Sequence, residues 1–422
     1  MAEKEEGKQA DGKSVVVLGA GIVGIFTALS LLERGFKVTL VDRDGPAEGA
    51  SHGNAGVISP WSVVPQAMPG IWKNAPRWLI DPEGPLSIRW PYAPRLIPWM
   101  RRFFQVGTEQ QLPSTADAMF ALNRPNVDLY RYHLKGTGKE HLVVDSVYLH
   151  VFRDPSDVDP NGMGWRLRAE RGVPFEVLNA GELHEMEPAL SPDYKAAFLI
   201  KDQARATDPG GVGKALAEKA LSLGAVFVRA TVERIIPQEG GGYRLDCGSR
   251  QIEAPRLVLT AGAWSARLLA TLGVKVPLEA ERGYHLILQN PGINVNYSVM
   301  DVKRYFVASL MDAGVRLAGT AEFGGLDAEP NYERARMLKA LAQSLFPAIN
   351  AEDTVEWSGI RPSFPDSLPC IGEVPGHKGL IAAFGHSHYG FGMAPNTGRL
   401  AAMVVNEETP NVPMEPYSVD RF

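Results

Sequence analysis

The stretch Val15-Val16-Val17-Leu18-Gly19-Ala20-Gly21-Ile22-Val23-Gly24 decides the fold of this chain. It begins with an apolar run, which is typical of a buried parallel strand. Its glycines then follow the spacing G-x-G-x-x-G, which allows a tight turn, close approach of a pyrophosphate and close packing of the next helix. The pattern predicts a strand, a phosphate-binding turn and a helix over residues 25–34 that ends at Gly35.

A second apolar strand, 36–41, ends in Asp42, which follows Gly24 by 18 residues. A carboxylate at this distance accepts hydrogen bonds from both hydroxyls of a ribose. The same negative charge disfavours a 2′-phosphate and therefore NADP. The motif predicts dinucleotide binding, leaves NAD and FAD open, and has a ligand-free glycine-rich turn as its alternative.

Composition narrows the class of protein further. The chain has 422 residues and a net charge of −5, which leaves room for two domains and gives no reason to expect a nucleic-acid partner. Its two cysteines, Cys247 and Cys370, cannot form a disulfide framework, so we expect a reducing, cytoplasmic location. No zinc-type spacing is present and no metal is expected. Residues 1–13 are polar and predict a disordered leader.

Two segments near the amino end are unusual. Residues 49–57 carry three glycines beside His52, which predicts either a backbone that passes close to the cofactor ring or a solvated loop. Residues 61–104 interleave tryptophans with basic residues. That mixture predicts peripheral contact with the inner face of a membrane. Its alternative is a proline-rich excursion whose tryptophans pack on the body of the protein.

Further along the chain, β-α-β alternation returns over 197–260, and strands without helices follow over 276–317. Helices are predicted over 114–136, 331–346 and 395–406. The fold class is therefore α/β plus α+β, with a parallel sheet and an antiparallel sheet.

These segments together resemble the FAD-dependent D-amino acid oxidoreductase superfamily, which includes glycine oxidase and sarcosine oxidase, and within it the bacterial D-amino acid dehydrogenases. The resemblance rests on the glycine turn with Asp42 and on the segments 51–56, 207–209, 260–265, 282–284, 359–362, 385–392 and 417–422. The resemblance implies a discontinuous Rossmann-like FAD-binding domain of the glutathione-reductase type over 14–60, 200–275 and 355–422. It implies an antiparallel-sheet substrate domain over 61–199 and 276–354.

The resemblance also implies chemistry. FAD, bound non-covalently, takes a hydride from Cα of a small D-amino acid, and water hydrolyses the resulting imine to a 2-oxo acid. Electrons pass to an acceptor other than oxygen, such as quinone, which segment 61–104 would meet at a membrane. The alternatives are glycine, sarcosine, D-proline, hydroxyproline or another secondary amine as substrate, or a flavin subunit of an electron-transfer complex.

The resemblance also implies roles for the residues of this chain that match the family's motifs. Arg361 is expected to bind the substrate carboxylate, Tyr284 to line the substrate site, and His386 and His388 to lie near the flavin ring. The alternatives are a structural arginine, a plain strand tyrosine and loop histidines. The residues expected to contact the cofactor are Gly19, Gly21, Ile22, Val23, Gly24, Asp42, Arg43, Ser51, His52, Asn54, Ala55, Gly56, Val57, Val232, Ala261, Gly262, Trp264, Gly359, Arg361, Gly385, His386, Gly390, Phe391, Gly392 and Met393.

Overall fold

The computed structural model describes residues 13–422, so all but Lys13 of the predicted leader lies outside the described residues. The strands are β1 (Ser14–Leu18), β2 (Lys37–Asp42), β3 (Val57–Ile58), β4 (Leu86–Ile88), β5 (Val143–Phe152), β6 (Phe175–Asn179), β7 (Ala196–Ala206), β8 (Val226–Arg229), β9 (Arg234–Pro237), β10 (Tyr243–Asp246), β11 (Gln251–Ala254), β12 (Leu257–Leu259), β13 (Glu279–Leu288), β14 (Ser298–Asp301), β15 (Phe306–Met311), β16 (Gly314–Ala318), β17 (Ala321–Phe323), β18 (Thr354–Ser363), β19 (Cys370–Glu373) and β20 (Leu380–Phe384). The α-helices are α1 (Ile22–Leu32), α2 (Ala75–Ile80), α3 (Ala93–Val106), α4 (Leu112–Asn123), α5 (Asn126–Leu134), α6 (Met163–Glu170), α7 (Ala180–Met186), α8 (Pro209–Ser222), α9 (Ser265–Ala270), α10 (Glu333–Arg336), α11 (Leu338–Leu345) and α12 (Gly390–Val405).

The first sheet has six strands in the order β19-β20-β12-β1-β2-β8. Every neighbouring pair is parallel except β19 with β20. Strand β1 lies in the middle and is buried almost along its whole length, which explains its unbroken run of valines. Helices α1, α8 and α12 contribute to the core that packs against this sheet. The predicted Rossmann-like sheet is confirmed.

The second sheet has eleven strands and is built around β13. Strand β13 pairs antiparallel with β18 over its full length, in a register that sets Glu281 opposite Arg361 and Gly283 opposite Gly359. Most neighbouring pairs are antiparallel, as predicted, but β5 with β14 and β17 with β4 are parallel. Apolar side chains of α11 share a core with this sheet.

Four predicted elements differ from the structure. The helix expected over 331–346 is two helices, α10 and α11, with Met337 between them. The helix expected over 114–136 is two helices, α4 and α5, because Pro125 between them has no N–H to continue the first. The last helix begins at Gly390 rather than 395, so the glycine-rich segment forms its first turn. Helix α1 begins at Ile22 rather than 25. The chain is thus helical at glycines that predicted a loop, and a helix is interrupted where the spacing of apolar residues predicted one continuous helix.

Helices α1 and α12 cross at a glycine. A Cβ added at Gly398 of α12 would lie 2.5 Å from the carbonyl carbon of Phe26 and 2.6 Å from the amide nitrogen of Thr27. Both atoms are backbone atoms of α1 and cannot move independently of the helix. The close approach of the two helices therefore requires glycine at position 398.

We expect Gly398→Ala to lower the free energy of unfolding by about 1–3 kcal/mol, because the added methyl forces the helices apart. The matched control is Gly164→Ala in α6, where the nearest atom to an added Cβ is 3.6 Å away. Alanine there is expected to be neutral or to stabilise by up to about 1 kcal/mol through helix propensity. Urea unfolding followed by circular dichroism measures both variants, and equal responses would contradict the crossing described above.

Candidate active site

One cavity of about 1410 Å³ runs between the carboxyl ends of the first sheet and one face of the second. Pockets for a single small ligand measure about 300–1,000 Å³, so this cavity has room for a dinucleotide together with a smaller molecule. Most residues singled out in the sequence line it. They are Gly19, Gly21, Ile22, Val23, Asp42, Arg43, Ser51, Asn54, Ala55, Val57, Val232, Ala261, Gly262, Trp264, Tyr284, Gly359, Arg361, Gly385, His386, His388, Gly390, Phe391 and Gly392.

Four expected cofactor contacts lie behind the cavity wall instead. Gly24 packs on the backbone of the glycine turn, and Gly56 packs on the backbone of β7. His52 packs against the start of α8, so the expectation that it lies by the cofactor ring is not met. Met393 is fully buried in a core cluster with α4. These residues support the wall, and the sequence pattern did not separate support from contact.

The glycine turn has the geometry that the motif predicts. Gly19 has a φ of +116°, and a Cβ there would lie 2.4 Å from the carbonyl oxygen of Thr260. Helix α1 begins directly after the turn, and its Ile22 N–H donates to the Ser51 hydroxyl at 2.9 Å. The positive end of α1 therefore faces the cavity, as an anion-binding helix terminus does.

Asp42 connects the end of β2 to this turn. One carboxylate oxygen accepts from the Ala20 N–H at 2.6 Å and the other from the Asp44 N–H at 2.9 Å. Burial raises the pKa of Asp42, although these two hydrogen bonds oppose the rise. Each oxygen retains a second lone pair for a ribose hydroxyl. Beside it, the Arg43 guanidinium carbon lies 3.8 Å from the ring centroid of Trp264, a cation–π contact on the cavity lining.

The loop over residues 49–57 is held from the second sheet. The Arg316 guanidinium donates to the carbonyl oxygens of His52 at 3.1 Å and Asn54 at 2.6 Å. His285 places Nδ1 3.2 Å from the Gly53 carbonyl oxygen, and its ring stacks on Trp357. Burial, reinforced by the charge of Arg316, lowers the pKa of His285 to about 3, so the ring is neutral. Neither Arg316 nor His285 is predicted from the sequence, because no local motif connects them with the loop.

The part of the cavity that β13 and β18 line contains Arg361 on β18. Its Nη1 donates to the Glu281 carboxylate at 2.9 Å and to the Thr320 carbonyl oxygen at 3.0 Å. Its guanidinium lies over Gly283 of the paired strand, where a Cβ would be 2.4 Å from its Cζ. The side chain is 23% exposed, and Nε and Nη2 have no hydrogen-bond partner within residues 13–422. One edge of the guanidinium is therefore fixed by the protein and the other is available to a ligand.

Glu281, which is not predicted from the sequence as a site residue, lies beside Arg361. Its carboxylate is 2% exposed, accepts from the Ser363 hydroxyl at 2.8 Å and contacts His388 Nε2 as well as Arg361. Burial alone would raise the pKa of Glu281, but its contacts with His388, Arg361 and Ser363 outweigh burial and hold the pKa well below its usual range. A buried, ionised carboxylate thus connects the expected carboxylate-binding arginine to the expected site histidine.

Tyr284 and His386 line the cavity with polar groups that are already paired. The Tyr284 hydroxyl donates to Glu322 at 3.1 Å and accepts from the Asn331 N–H at 2.8 Å. Burial raises the pKa of Tyr284 to about 12, so the phenol is protonated at neutral pH. His386 Nε2 lies 3.0 Å from the Thr397 hydroxyl, and burial lowers the pKa of His386 to about 3. Both side chains keep one protonation state near neutral pH.

The first turn of α12 completes the cavity. Gly390, Phe391 and Gly392 line it, so the positive end of a second helix faces the same space as that of α1. Pro395 cannot donate to the Phe391 carbonyl four residues earlier, and the Tyr130 hydroxyl of α5 donates to that oxygen at 2.7 Å instead. Between residues 13 and 422, no group of three or more His, Cys, Asp or Glu side chains is placed to hold a metal ion.

The chain matches the family model described as "FAD dependent oxidoreductase" (DAO) over residues 14–403. It is 38% identical over 419 residues to a D-amino-acid oxidase of Bradyrhizobium diazoefficiens, covering 98% of this chain and 99% of the relative. The structure is similar to the crystal structure of glycine oxidase from Geobacillus kaustophilus, with a TM-score of 0.74 and 23% identity over 97% of this chain and 98% of that one. It is also similar to L-alpha-glycerophosphate oxidase of Mycoplasma pneumoniae with FAD bound, with a TM-score of 0.70 and 18% identity over 94% and 96%.

This chain belongs to the DAO family of FAD-dependent oxidoreductases and is an enzyme that acts on amino acids or amines. The cavity fits FAD by the chemistry of its lining. It has a glycine turn closed to any side chain, a carboxylate with free lone pairs beside the turn, and the positive ends of two helices. When bound, FAD supplies the hydride acceptor, and the protein supplies orientation and electrostatics.

We expect Asp42→Ala to weaken FAD binding by about 10- to 100-fold, because it removes charge-assisted hydrogen bonds to the ribose. The matched control is Asp44→Ala, which removes a neighbouring carboxylate but keeps the backbone N–H that donates to Asp42. Flavin absorbance after dialysis and a fluorescence titration of the apoprotein measure the effect. Full flavin occupancy of the Asp42 variant after dialysis would contradict the assignment.

Proposed function

We propose that this enzyme oxidises a D-amino acid at Cα, yielding an imine that water converts to a 2-oxo acid. The observation that carries the proposal is Arg361, which points a half-satisfied guanidinium into the cavity from β18. A guanidinium matches a carboxylate with two parallel hydrogen bonds and stays charged at any working pH. The 38% identical relative named D-amino-acid oxidase supports the D configuration.

Glu281 and Thr320 hold Nη1 of Arg361. We therefore assign Nε and Nη2 to the substrate carboxylate. That contact fixes the substrate and leaves its amine and Cα to be placed by the rest of the cavity. Without the arginine, the substrate carboxylate would move from water into the cavity with no charged partner, and this transfer costs free energy.

We propose that His388 accepts the proton that the substrate ammonium group must lose before hydride transfer. Its Nε2 is held by Glu281, so in the tautomer that donates from Nε2, Nδ1 is the free acceptor. His388 lines the cavity, and its side chain is 39% exposed. We assign His386 and Tyr284 to the wall as neutral supports, since their polar groups are engaged by Thr397, Glu322 and Asn331.

An anaerobic screen of flavin bleaching tests the proposed function. We expect D-amino acids to bleach the flavin spectrum and L-amino acids, glycine, sarcosine and other N-methyl amines to do so weakly. Preferential bleaching by glycine, sarcosine, D-proline or hydroxyproline would replace the proposed substrate with the alternative one. Bleaching by none of them, together with a protein that co-purifies, would point to a flavin subunit of an electron-transfer complex.

We expect Arg361→Ala to lower kcat/KM by about 10²–10³-fold, because it leaves the bound carboxylate unpaired; breaking a buried pair costs about 3–5 kcal/mol. Arg361→Lys is expected to recover only part of the loss, since an ammonium group cannot form two parallel bonds. The matched control is Arg267→Ala, which removes an exposed arginine. FAD content should be unchanged in all three, and oxidation of decarboxylated amines as fast as their amino acids would refute the role of Arg361.

We further propose that electrons leave to an acceptor at a membrane surface rather than chiefly to oxygen. Among the described residues, no helix has the length and apolarity needed to cross a bilayer. Five of the thirteen exposed large apolar side chains that the structure describes, however, fall within one short stretch: Leu79, Ile80, Trp90, Ile97 and Phe104. Exposed arginines at 77, 95, 101 and 102 accompany them. We call these nine side chains the aromatic-basic surface.

The other face of α3 supports a path from this surface to the cavity. Leu96, Trp99, Met100 and Phe103 line the cavity, and Phe104 of the aromatic-basic surface lines it as well. The Trp99 ring N–H donates to the Ser363 carbonyl oxygen at 3.0 Å. One helix therefore has an apolar inner face on the cavity and a mixed apolar and cationic outer face. Such an outer face suits an anionic lipid surface, to which both apolar burial and charge contribute. Oxygen remains the competing acceptor, because the similar relative is named an oxidase.

We expect the purified enzyme to co-sediment with vesicles of phosphatidylserine and phosphatidylcholine. Replacing Trp90, Ile97 and Phe104 by Ser should weaken binding at least tenfold, since each buried apolar side chain contributes about 1.5–3 kcal/mol. The control replaces Leu221, Leu223 and Val226, which are exposed outside the aromatic-basic surface. Unchanged vesicle binding would refute the membrane contact, and hydrogen peroxide production as fast as dye reduction would refute the acceptor.

A further inference from the structure

A second arginine, Arg168, lines the cavity from the side of the second sheet. It lies on α6, with its guanidinium carbon 4.5 Å from the ring centroid of Trp165. His150 on β5 packs edge-on against Trp165, and Tyr148 packs edge-on against His150. Tyr148 and His150 line the cavity as well. This chain of aromatic contacts fixes where the guanidinium lies but supplies no negative charge.

The charge of Arg168 is not balanced by the protein. Its one hydrogen bond runs from Nη1 to the Gly164 carbonyl oxygen of its own helix at 3.2 Å, and its Nε is buried without a partner. No acidic side chain of the described chain pairs with it. Burial lowers the pKa of Arg168 to about 10, so the side chain is charged at neutral pH. His150 is neutral beside it, because burial and the Arg168 charge lower its pKa to about 3.

Tyr389 connects this cation with the Arg361 region. Its hydroxyl donates to the Val64 carbonyl oxygen at 2.8 Å, which fixes the phenol on the cavity lining. Burial raises the pKa of Tyr389, the charge of Arg168 opposes the rise and the charge of Glu281 adds to it. Both charges therefore act on the same phenol. Val64 also lies beside Gly164, whose carbonyl oxygen accepts from Arg168, and Tyr389 follows His388, which contacts Glu281. Contacts through Tyr389 therefore connect Arg168 with the Glu281–Arg361 pair along one part of the cavity lining.

We propose that Arg168 binds a second carboxylate of the substrate, so that the preferred substrates are amino acids with an acidic side chain. This inference rests on the proposed function, in which Arg361 binds the α-carboxylate. A guanidinium whose Nε is shielded from water is costly unless it is paired, and a carboxylate brought by the substrate provides the missing partner. An amide of the same shape would provide hydrogen bonds but no opposite charge.

The decisive comparison is between D-glutamate and D-glutamine, which have nearly the same shape and differ in side-chain charge. We expect kcat/KM to be about 10- to 100-fold higher for D-glutamate, as a charge-assisted hydrogen bond implies. Arg168→Met keeps the apolar stem of the side chain but removes the guanidinium, so it should abolish this preference by lowering kcat/KM for D-glutamate more than kcat/KM for D-glutamine. Arg168→Lys should retain part of the preference.

The matched control is Arg166→Met, because Arg166 lies on the same helix, is exposed and does not line this cavity. Its D-glutamate preference should equal that of the wild type. An equal rate for the two substrates in the wild type, or an equal loss for both in Arg168→Met, would refute the inference and leave the proposed function intact.

A binding experiment tests the second carboxylate site independently of catalytic turnover. Glutarate and butyrate are titrated into the flavin-loaded enzyme by calorimetry, and glutarate is expected to bind at least tenfold more tightly in the wild type but not in Arg168→Met. If this difference is found while no amino acid bleaches the flavin, the proposed function fails and the second carboxylate site stands. If the two acids bind equally in the wild type, the site is refuted.

Discussion

The wall of the cavity depends on one buried carboxylate, that of Glu281. It lies on β13 and receives Arg361 and Ser363 from β18 and His388 from the segment before α12. A carboxylate removed from water to this degree is tolerated because several charged and polar partners surround it. The positions of two proposed substrate contacts, Arg361 and His388, are consequently set by a single side chain that itself has almost no exposure.

The first sheet and its glycine turn could be predicted because their signals are local. The apolar strand, the glycine spacing and Asp42 all lie within one short β-α-β unit, and the structure connects Asp42 to Ala20 of that unit through a hydrogen bond. The boundaries were less accurate for a physical reason. Glycines at the start of α1 and α12 indicate a loop by propensity, whereas packing against the neighbouring helix makes them helical.

The partners within the site could not be predicted, because they come from distant parts of the chain. Arg361 and Glu281 meet only through the β13–β18 register, 80 residues apart in sequence. A signal for Glu281 was present, since β13 begins at Glu279 and is buried throughout, so an acid within it demands a partner. The segment 61–104 left two interpretations open, and α3 combines features of both, because one face packs on the protein and the other faces solvent.

The hydrogen bond from Tyr130 to the Phe391 carbonyl restricts how this protein can diverge. Pro395 removes the backbone N–H that would otherwise donate to that carbonyl oxygen, and the hydrogen bond is buried. A one-residue shift of α5 along α12 would therefore leave the Phe391 carbonyl oxygen without a donor, at a cost of about 1–3 kcal/mol. We therefore expect an insertion or deletion within α5 to be destabilising. For the same reason, we expect Tyr130 and Pro395 to change in concert among related chains.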